Sequence, residues 1–279
     1  MSINLVDLFL WTFRRNENDV VKLYDSLSPV MGISTGGDML NFGYWDKNTE
    51  NPIDAQYKLC QKISDMAELS NAKSILDVGS GFLGPAKIWK KQFPGLEISS
   101  INVNFSQLSS SVSENIFKLN STARILPFSN SVVERIIALE SAQHFKPIKD
   151  FISESYRVLK DNGILVLAIP TATKNSNLAN LGILKFTWSS EHYSEKFLKN
   201  LILKNKFEIL EFNEIGHSVY IPLANYYIEN RVQLRKKILT QYSSYVEKIL
   251  FESMKKMKST SEQRLIGYSL VKCKKLALE

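Results

Sequence analysis

The chain has little cysteine. Cys60 and Cys273 are the only two in 279 residues, far apart and without a disulfide framework, which excludes a disulfide-stapled secreted domain and fits a reducing compartment, with the cytoplasm as the expected location. Histidine is nearly as rare, with three, His144, His192 and His217. Neither they nor the cysteines fall at ligand spacing, so the sequence carries no metal signature. Long apolar runs are missing too. No stretch reaches the about 18 consecutive apolar residues of a membrane-spanning helix. The apolar start from Met1 to Phe13 is interrupted by Asp7, and no basic segment precedes it, unlike an export signal. No internal repeat, low-complexity tract or linker marks a second domain, so one elaborated domain over 1–279 is expected.

What is present has an ordinary globular balance, 44% hydrophobic and 23% charged, enough to bury a large core. Net charge is +7, and nearly all the excess lies between Arg231 and Thr260, where eight basic residues face Glu247 and Glu252. Val232, Leu239, Tyr242, Val246, Ile249 and Leu250 recur there at helical spacing, which reads as packed helix with a solvated basic face. An acidic substrate or lipid headgroups remain the alternative occupants of that face.

Along the chain, Ile3–Leu27 reads as a helix, followed by a glycine-rich turn at Gly32, Gly36 and Gly37 and an aromatic loop, Asn41 to Asp46. Asp54 is a candidate cap for a helix with Tyr57, Leu59, Ile63, Met66 and Ala67 on one face, ending near Asn71. Then strands at Ser74–Val78, Ile98–Val103, Val132–Leu139 and Ile164–Ile169 alternate with helices at Pro85–Phe93, Gln107–Leu119 and Ile148–Leu159. That alternation implies right-handed crossovers and a parallel sheet covered on both faces, an α/β doubly wound fold. A polar stretch at 171–190 reads as a lid, followed by a helix at Ser194–Leu203, a strand at Phe207–Phe212, the basic helical region, and a closing strand at Leu265–Lys272. Residues 1–70 thus form an N-terminal helical cap, 71–170 the core, and 171–279 a lid region with the closing strands.

Gly79-Ser80-Gly81-Phe82-Leu83-Gly84 joins the first strand to a helix. Glycine there lets a ligand approach the backbone closely, a pattern shared with dinucleotide enzymes. Asp77, two residues before Gly79, discriminates between ligands. A carboxylate at the strand's end fixes a cationic amino group and repels a pyrophosphate, which favours a zwitterionic amino-acid nucleoside over a dinucleotide.

Asp77 to Gly84 resembles the first motif of the class I, seven-stranded, Rossmann-like S-adenosylmethionine-dependent methyltransferases. Asn41 to Trp45 is similar to the loop before the core in their small-molecule, natural-product and lipid branch. Leu126-Pro127-Phe128 resembles the adenine-side turn, Glu140 to His144 the segment after the fourth strand, and Arg157 to Gly163 a further motif of the family. The resemblance implies S-adenosylmethionine as cofactor, a mostly parallel seven-stranded sheet with N-terminal helices and a helical lid insertion, and cofactor contacts from Tyr44, Asp77, Gly79, Gly81, Asn102, Gln107, Ala123 and Glu140. Asn102 stands where many relatives have a ribose-binding acid, and Gln107 matches a glutamine that contributes in the branch lacking it. Thr122 replaces the acid that often receives the adenine amino group, leaving the backbone at Ala123 for that ring. Glu140 either borders the cofactor or caps the next helix.

Methyl transfer from a sulfonium is an in-line displacement in which alignment supplies most of the catalysis, and a base is needed for hydroxyl or acidic carbon acceptors. His144, at the carboxyl edge of the sheet, is the candidate base, with His217 second and His192 a surface or packing residue. Phe42, Tyr44, Trp45, Phe186, Trp188, Tyr193, Tyr220, Tyr226 and Tyr227 are candidate walls of an apolar acceptor pocket. The expected function is methyl transfer to a small organic or lipid-like acceptor at oxygen, nitrogen or carbon. A cofactor-binding homologue that catalyses cyclisation, or a non-catalytic partner, is the alternative. No nucleic-acid partner is expected, because no base-amino methylation motif or separate binding module is present. Ile3, Leu5, Leu8, Phe9, Leu10, Trp11 and Phe13 crowd the first helix, which makes it a candidate lid or homo-oligomer contact.

Overall fold

Three apolar residues out of five, with four of the five buried, make Ser74–Val78 a strand, β1, of the kind buried on both faces of a parallel sheet. The computed structural model describes residues 16–37, 39–173, 184, 191 and 193–277. Beyond β1 the chain forms α1 (Glu17–Thr35) and α2 (Pro52–Met66) upstream, and downstream α3 (Gly84–Gln92), β2 (Glu97–Asn102), α4 (Phe105–Ser110), β3 (Ile116–Asn120), β4 (Val133–Leu139), α5 (Ile148–Val158) and β5 (Leu159–Ala172). It continues with α6 (Glu195–Lys204), β6 (Phe207–Glu214), α7 (Tyr220–Glu229), α8 (Arg231–Leu239), α9 (Ser244–Glu262) and β7 (Ile266–Lys275). The strands form one seven-stranded sheet in the order β3-β2-β1-β4-β5-β7-β6. Pairings among β1 to β5 are parallel, and β6 runs antiparallel to β7. The doubly wound, mostly parallel architecture expected from the alternation is the one observed.

The chain divides into two compact units. The sheet unit is drawn from Leu59–Thr171, His192–Glu214 and Tyr268–Glu279. Leu76, Val78, Ile136, Ala138, Phe151, Ile152, Leu165, Leu167 and Val271 form its apolar centre, where strands meet α5 and α6. The other unit, from Met1–Lys58, Ala172–Glu191 and Ile215–Gly267, is helical where described. There Leu23 and Val30 of α1 pack with Tyr227 of α7, Leu234 and Ile238 of α8 and Val246 of α9.

Several boundaries differ from the sequence expectation. Residues 107–119 are not one helix: α4 stops at Ser110 and β3 begins at Ile116. The hydroxyls of Ser109, Ser110 and Ser111 donate to main-chain carbonyls of Ser106 and Gln107, the local competition that weakens a helix, and β3 gains a ladder with β2 instead. α1 begins at an Asn16–Asp19 capping box and runs through Pro29 and Gly32 to Thr35, so Gly32 is helical rather than part of a turn. Burial of Leu23 and Val30 outweighs the poor propensity of those two residues. The turn sits at Gly36, whose φ of 83° favours glycine.

Asp54 does not cap α2. The Asn51 side chain accepts from the Asp54 amide at 3.0 Å, and the helix stops at Met66 rather than near Asn71. Leu59, Ile63, Met66 and Ala67 are buried as expected, but Tyr57 is exposed. The region 231–260 is two helices, and α7 before them went unread because its apolar residues lack a single-face pattern. The part of the first expected helix before residue 16, with its apolar cluster from Ile3 to Phe13, and most of the 171–190 stretch lie outside the described residues.

Candidate active site

β1 delivers Asp77 to the carboxyl edge of the sheet, and the chain then reverses through Gly79 (φ 80°), Gly81 (φ 53°) and Leu83 (φ 65°) before α3 starts at Gly84. The two glycines serve different ends. A side chain on Gly79 would collide with Cβ and Oγ of Ser141, and the Ser141 hydroxyl, donating to the Val78 carbonyl at 2.5 Å, locks that approach. On Gly81 a side chain would meet nothing within 4 Å. Gly79 is therefore required by packing within the protein, whereas Gly81 presents bare backbone to open space.

Asp77 is 2% exposed. Its partner is the Ser100 hydroxyl, donating at 3.4 Å from the register position directly opposite on β2. No cationic side chain among the described residues pairs with it. Burial pushes its carboxyl well above the usual carboxylate range, to about 7, against the small opposing effect of Ser100. In the same turn Ser80 Oγ is buried with no hydrogen-bond partner. A buried carboxylate without a cation beside an orphaned hydroxyl is an incomplete polar site.

Asn102 and Gln107, expected at the ribose, are brought together. Asn102 Nδ2 donates to Gln107 Oε1 at 2.8 Å and to the Gly81 carbonyl at 3.3 Å. Asn104 caps α4 by accepting from the Gln107 amide at 3.1 Å. The end of β2 is thereby tied to the glycine turn. Ala123 is buried in the apolar cluster of Val78 and Ile101, and Thr122 Oγ1 accepts from the Arg124 amide. The Leu126–Phe128 turn is held from α5: Glu154 accepts the Leu126 amide at 2.8 Å, and Arg157 donates to the Leu126 and Phe128 carbonyls at 2.9 and 2.7 Å.

Glu140 follows β4 with φ 49°. It does not cap the next turn. Its Oε1 accepts from the Tyr268 hydroxyl of β7 at 2.8 Å, and Tyr268 is fully buried. Burial, with smaller contributions from the charges of Asp77 and Glu140, drives the Cys60 thiol far up and leaves it inert. Cys60 and Cys273 form no disulfide, and both are buried. His144 closes a 3-10 turn, Ala142–His144, and is half-buried. Gln143 Nε2 donates to the Glu140 carbonyl at 2.6 Å and lies 3.3 Å from His144 Nε2. Gln143 Oε1 is buried without a partner.

Tyr44 and His217 belong to the helical unit. Tyr44 is half-buried, and its amide donates to the Ala55 carbonyl at 2.8 Å. In the same loop, Trp45 Nε1 donates to the Phe42 carbonyl, Phe42 packs edge-on against Tyr220, and Trp45 lies against Tyr226. Trp45 and Tyr220 are buried in these contacts. His217 is exposed. An open groove of about 530 Å3 in this unit is lined by Pro29, Gly32, Ile33, Gly36, Gly37, Lys237, Thr240 and Gln241. His192, Phe186 and Trp188 lie outside the described residues.

Sequence reading missed Ser80, Ser100, Ser141 and Tyr268. The serines are small and common, and nothing in their local sequence marks them, Ser100 standing next to a second serine in its strand.

Residues 76–167 match the family model described as a methyltransferase domain. The chain is 25% identical over 166 residues to the erythromycin 3''-O-methyltransferase of Saccharopolyspora erythraea, a match covering 57% of this chain and 54% of that protein. The chain spans about half the length of the curated relatives it matches. Among solved structures, the (4+2)-cyclase SpnF superposes with a TM-score of 0.76 at 19% identity, covering 94% of this chain and 97% of that one. Geranyl diphosphate C-methyltransferase from Streptomyces coelicolor A3(2), in a complex that includes S-adenosyl-L-homocysteine, gives 0.72 at 13% identity, covering 93% and 98%.

Proposed function

From a seven-stranded, mostly parallel sheet and a match of residues 76–167 to a methyltransferase-domain model, we infer a protein that transfers a methyl group from S-adenosylmethionine to a small organic or lipid-like acceptor at oxygen, nitrogen or carbon. The observation that carries this reading is the buried Asp77 carboxylate, which has no cationic partner among the described residues and stands beside the open backbone of Gly81. An ammonium group satisfies Asp77, and a hydrogen-bonding ligand satisfies Ser80 Oγ; a pyrophosphate would face an uncompensated negative site. S-adenosylmethionine, when bound, supplies an electrophilic methyl on a sulfonium.

The chain's own residues then divide the work. Asp77 fixes the cofactor's amino group, Gly79 and Gly81 shape the turn, Asn102 and Gln107 hold the ribose edge, Ala123 borders the adenine, and Glu140, braced by Tyr268, supplies negative charge at the sheet edge. Tyr44 enters on the family resemblance alone. His144 takes the acceptor's proton where the acceptor requires it. The whole chain is read as one methyltransferase domain of a reducing, cytoplasmic compartment, with residues 71–170 the cofactor-binding core.

A second reading, cofactor binding with cyclisation or a non-catalytic role, is favoured by the likeness of the fold to a cyclase. Isothermal titration with S-adenosylmethionine and separately with NAD tests the cofactor, and binding of NAD alone would sink the leading reading. Release of S-adenosylhomocysteine in the presence of extracts of the native host separates methyl transfer from the second reading.

A further inference from the structure

We propose that the outer stripe of α8 is a docking surface for an anionic lipid bilayer. Between Arg231 and Thr260 eight cations face two acids, and the structure shows how those acids are spent. Glu247 is 1% exposed and takes Arg231 at 2.8 Å and Arg235 at 3.5 Å. Glu252 takes Lys255 at 3.2 Å. Lys236, Lys237 and Lys248 are exposed with no acidic partner among the described residues. The stretch therefore keeps three exposed cations that no acid of the described residues offsets.

α8 organises that charge. Leu234 and Ile238 point into the helical core at 5% and 0% exposure. On the opposite side Val232, Lys236 and Leu239 recur at helical spacing, so two apolar side chains bracket a cation that has no acidic partner among the described residues, while Arg235 is held by Glu247. Val232 is 71% exposed and Leu239 37%. A nucleic-acid backbone offers these exposed apolar groups no apolar counterpart. A bilayer interface accommodates both kinds of side chain: aliphatic groups enter the acyl boundary, while the Lys stems lie along it with their charges among the phosphates. Charge complementarity and the interleaved apolar pair thus select one occupant. The surface would bring the protein to the phase in which an apolar acceptor dissolves, although the inference stands without the methyltransferase reading.

The test uses the full chain and vesicles of equal parts phosphatidylglycerol and phosphatidylcholine, with pure phosphatidylcholine vesicles and duplex DNA as comparisons, read by co-sedimentation at low salt. Binding is expected to the anionic vesicles and not to the neutral ones. Lys236→Glu, at an exposed residue with no ion pair among the described residues, is expected to weaken binding about 25-fold, since each cation near an anionic surface contributes about a fivefold gain in affinity and reversal counts twice. The double variant Val232→Ser/Leu239→Ser is expected to weaken vesicle binding severalfold while leaving its salt dependence unchanged. Circular dichroism confirms the fold of each variant. No binding to anionic vesicles, equal binding by the folded Lys236→Glu variant, indifference to the serine pair, or DNA binding stronger than vesicle binding would each overturn the proposal.

Discussion

Asp77 on β1 lies opposite Ser100 on β2, and the serine hydroxyl, donating at 3.4 Å, is the protein partner of a carboxylate that is 2% exposed. One weak neutral donor does not balance a buried charge, which is why burial lifts the Asp77 carboxyl to about 7.

The first prediction concerns pH. A carboxyl whose folded-state value lies above its unfolded one destabilises the ligand-free fold increasingly as pH rises from the unfolded value near 4 toward about 7, where the loss levels off. Ligand-free wild type should therefore lose thermal stability over that window. Asp77→Asn should remove much of the slope and be the more stable of the two at pH 8. Scanning calorimetry across pH checks this.

Cofactor affinity should move the other way. Protonation of Asp77 competes with the ammonium, so S-adenosylmethionine should bind more weakly as pH falls below about 7, approaching tenfold per pH unit if the cation contact requires the ionised carboxylate. Asp77→Asn should cost about 10- to 100-fold in affinity at pH 8, the worth of a charge-assisted hydrogen bond. Titration calorimetry at several pH values reads both effects, and an affinity indifferent to pH and to the substitution would refute the role given to Asp77.

Gly79 and Gly81 should separate stability from binding. Gly79→Ala drives a methyl into Ser141 at a left-handed backbone position and should cost about 2–4 kcal/mol in urea unfolding. Gly81→Ala meets no neighbour, so its stability cost should be only about 1 kcal/mol. Its methyl would occupy the face offered to the cofactor, and binding should fall at least tenfold.

Tyr268→Phe removes the hydroxyl that Glu140 accepts at 2.8 Å. The carboxylate is then left with less support, and a loss of about 1–3 kcal/mol in unfolding free energy is expected. Chemical denaturation of the two proteins under identical conditions measures it.

His144→Asn should lower the rate of S-adenosylhomocysteine release about 10²- to 10⁴-fold with an acceptor that must lose a proton, while cofactor affinity stays within about threefold. Equal losses in rate and cofactor affinity would make His144 a cofactor-binding or structural residue instead.

The sequence by itself determined the parts that are local in the chain. β1 was read with its observed bounds because five residues carry their own apolar pattern. Asp77 and the glycines were legible because the turn's backbone demands and the carboxylate are encoded within a few consecutive positions. Where a local pattern was ambiguous, as in the serine-rich 107–119 stretch, reading went wrong, since whether those residues extend a helix or pair with β2 is settled by a strand distant in the chain.

The tertiary structure alone decided which groups complete the site. Ser141 fills the space beside Gly79 from 62 positions away in the sequence, Ser100 faces Asp77 across a ladder, and Tyr268 reaches Glu140 over a separation of 128 residues. The physical reason is that the interior of a parallel sheet is apolar on both faces. The strands therefore carry little alternation to mark their register, and the partner of a buried polar atom follows only from the crossovers that set the strands side by side.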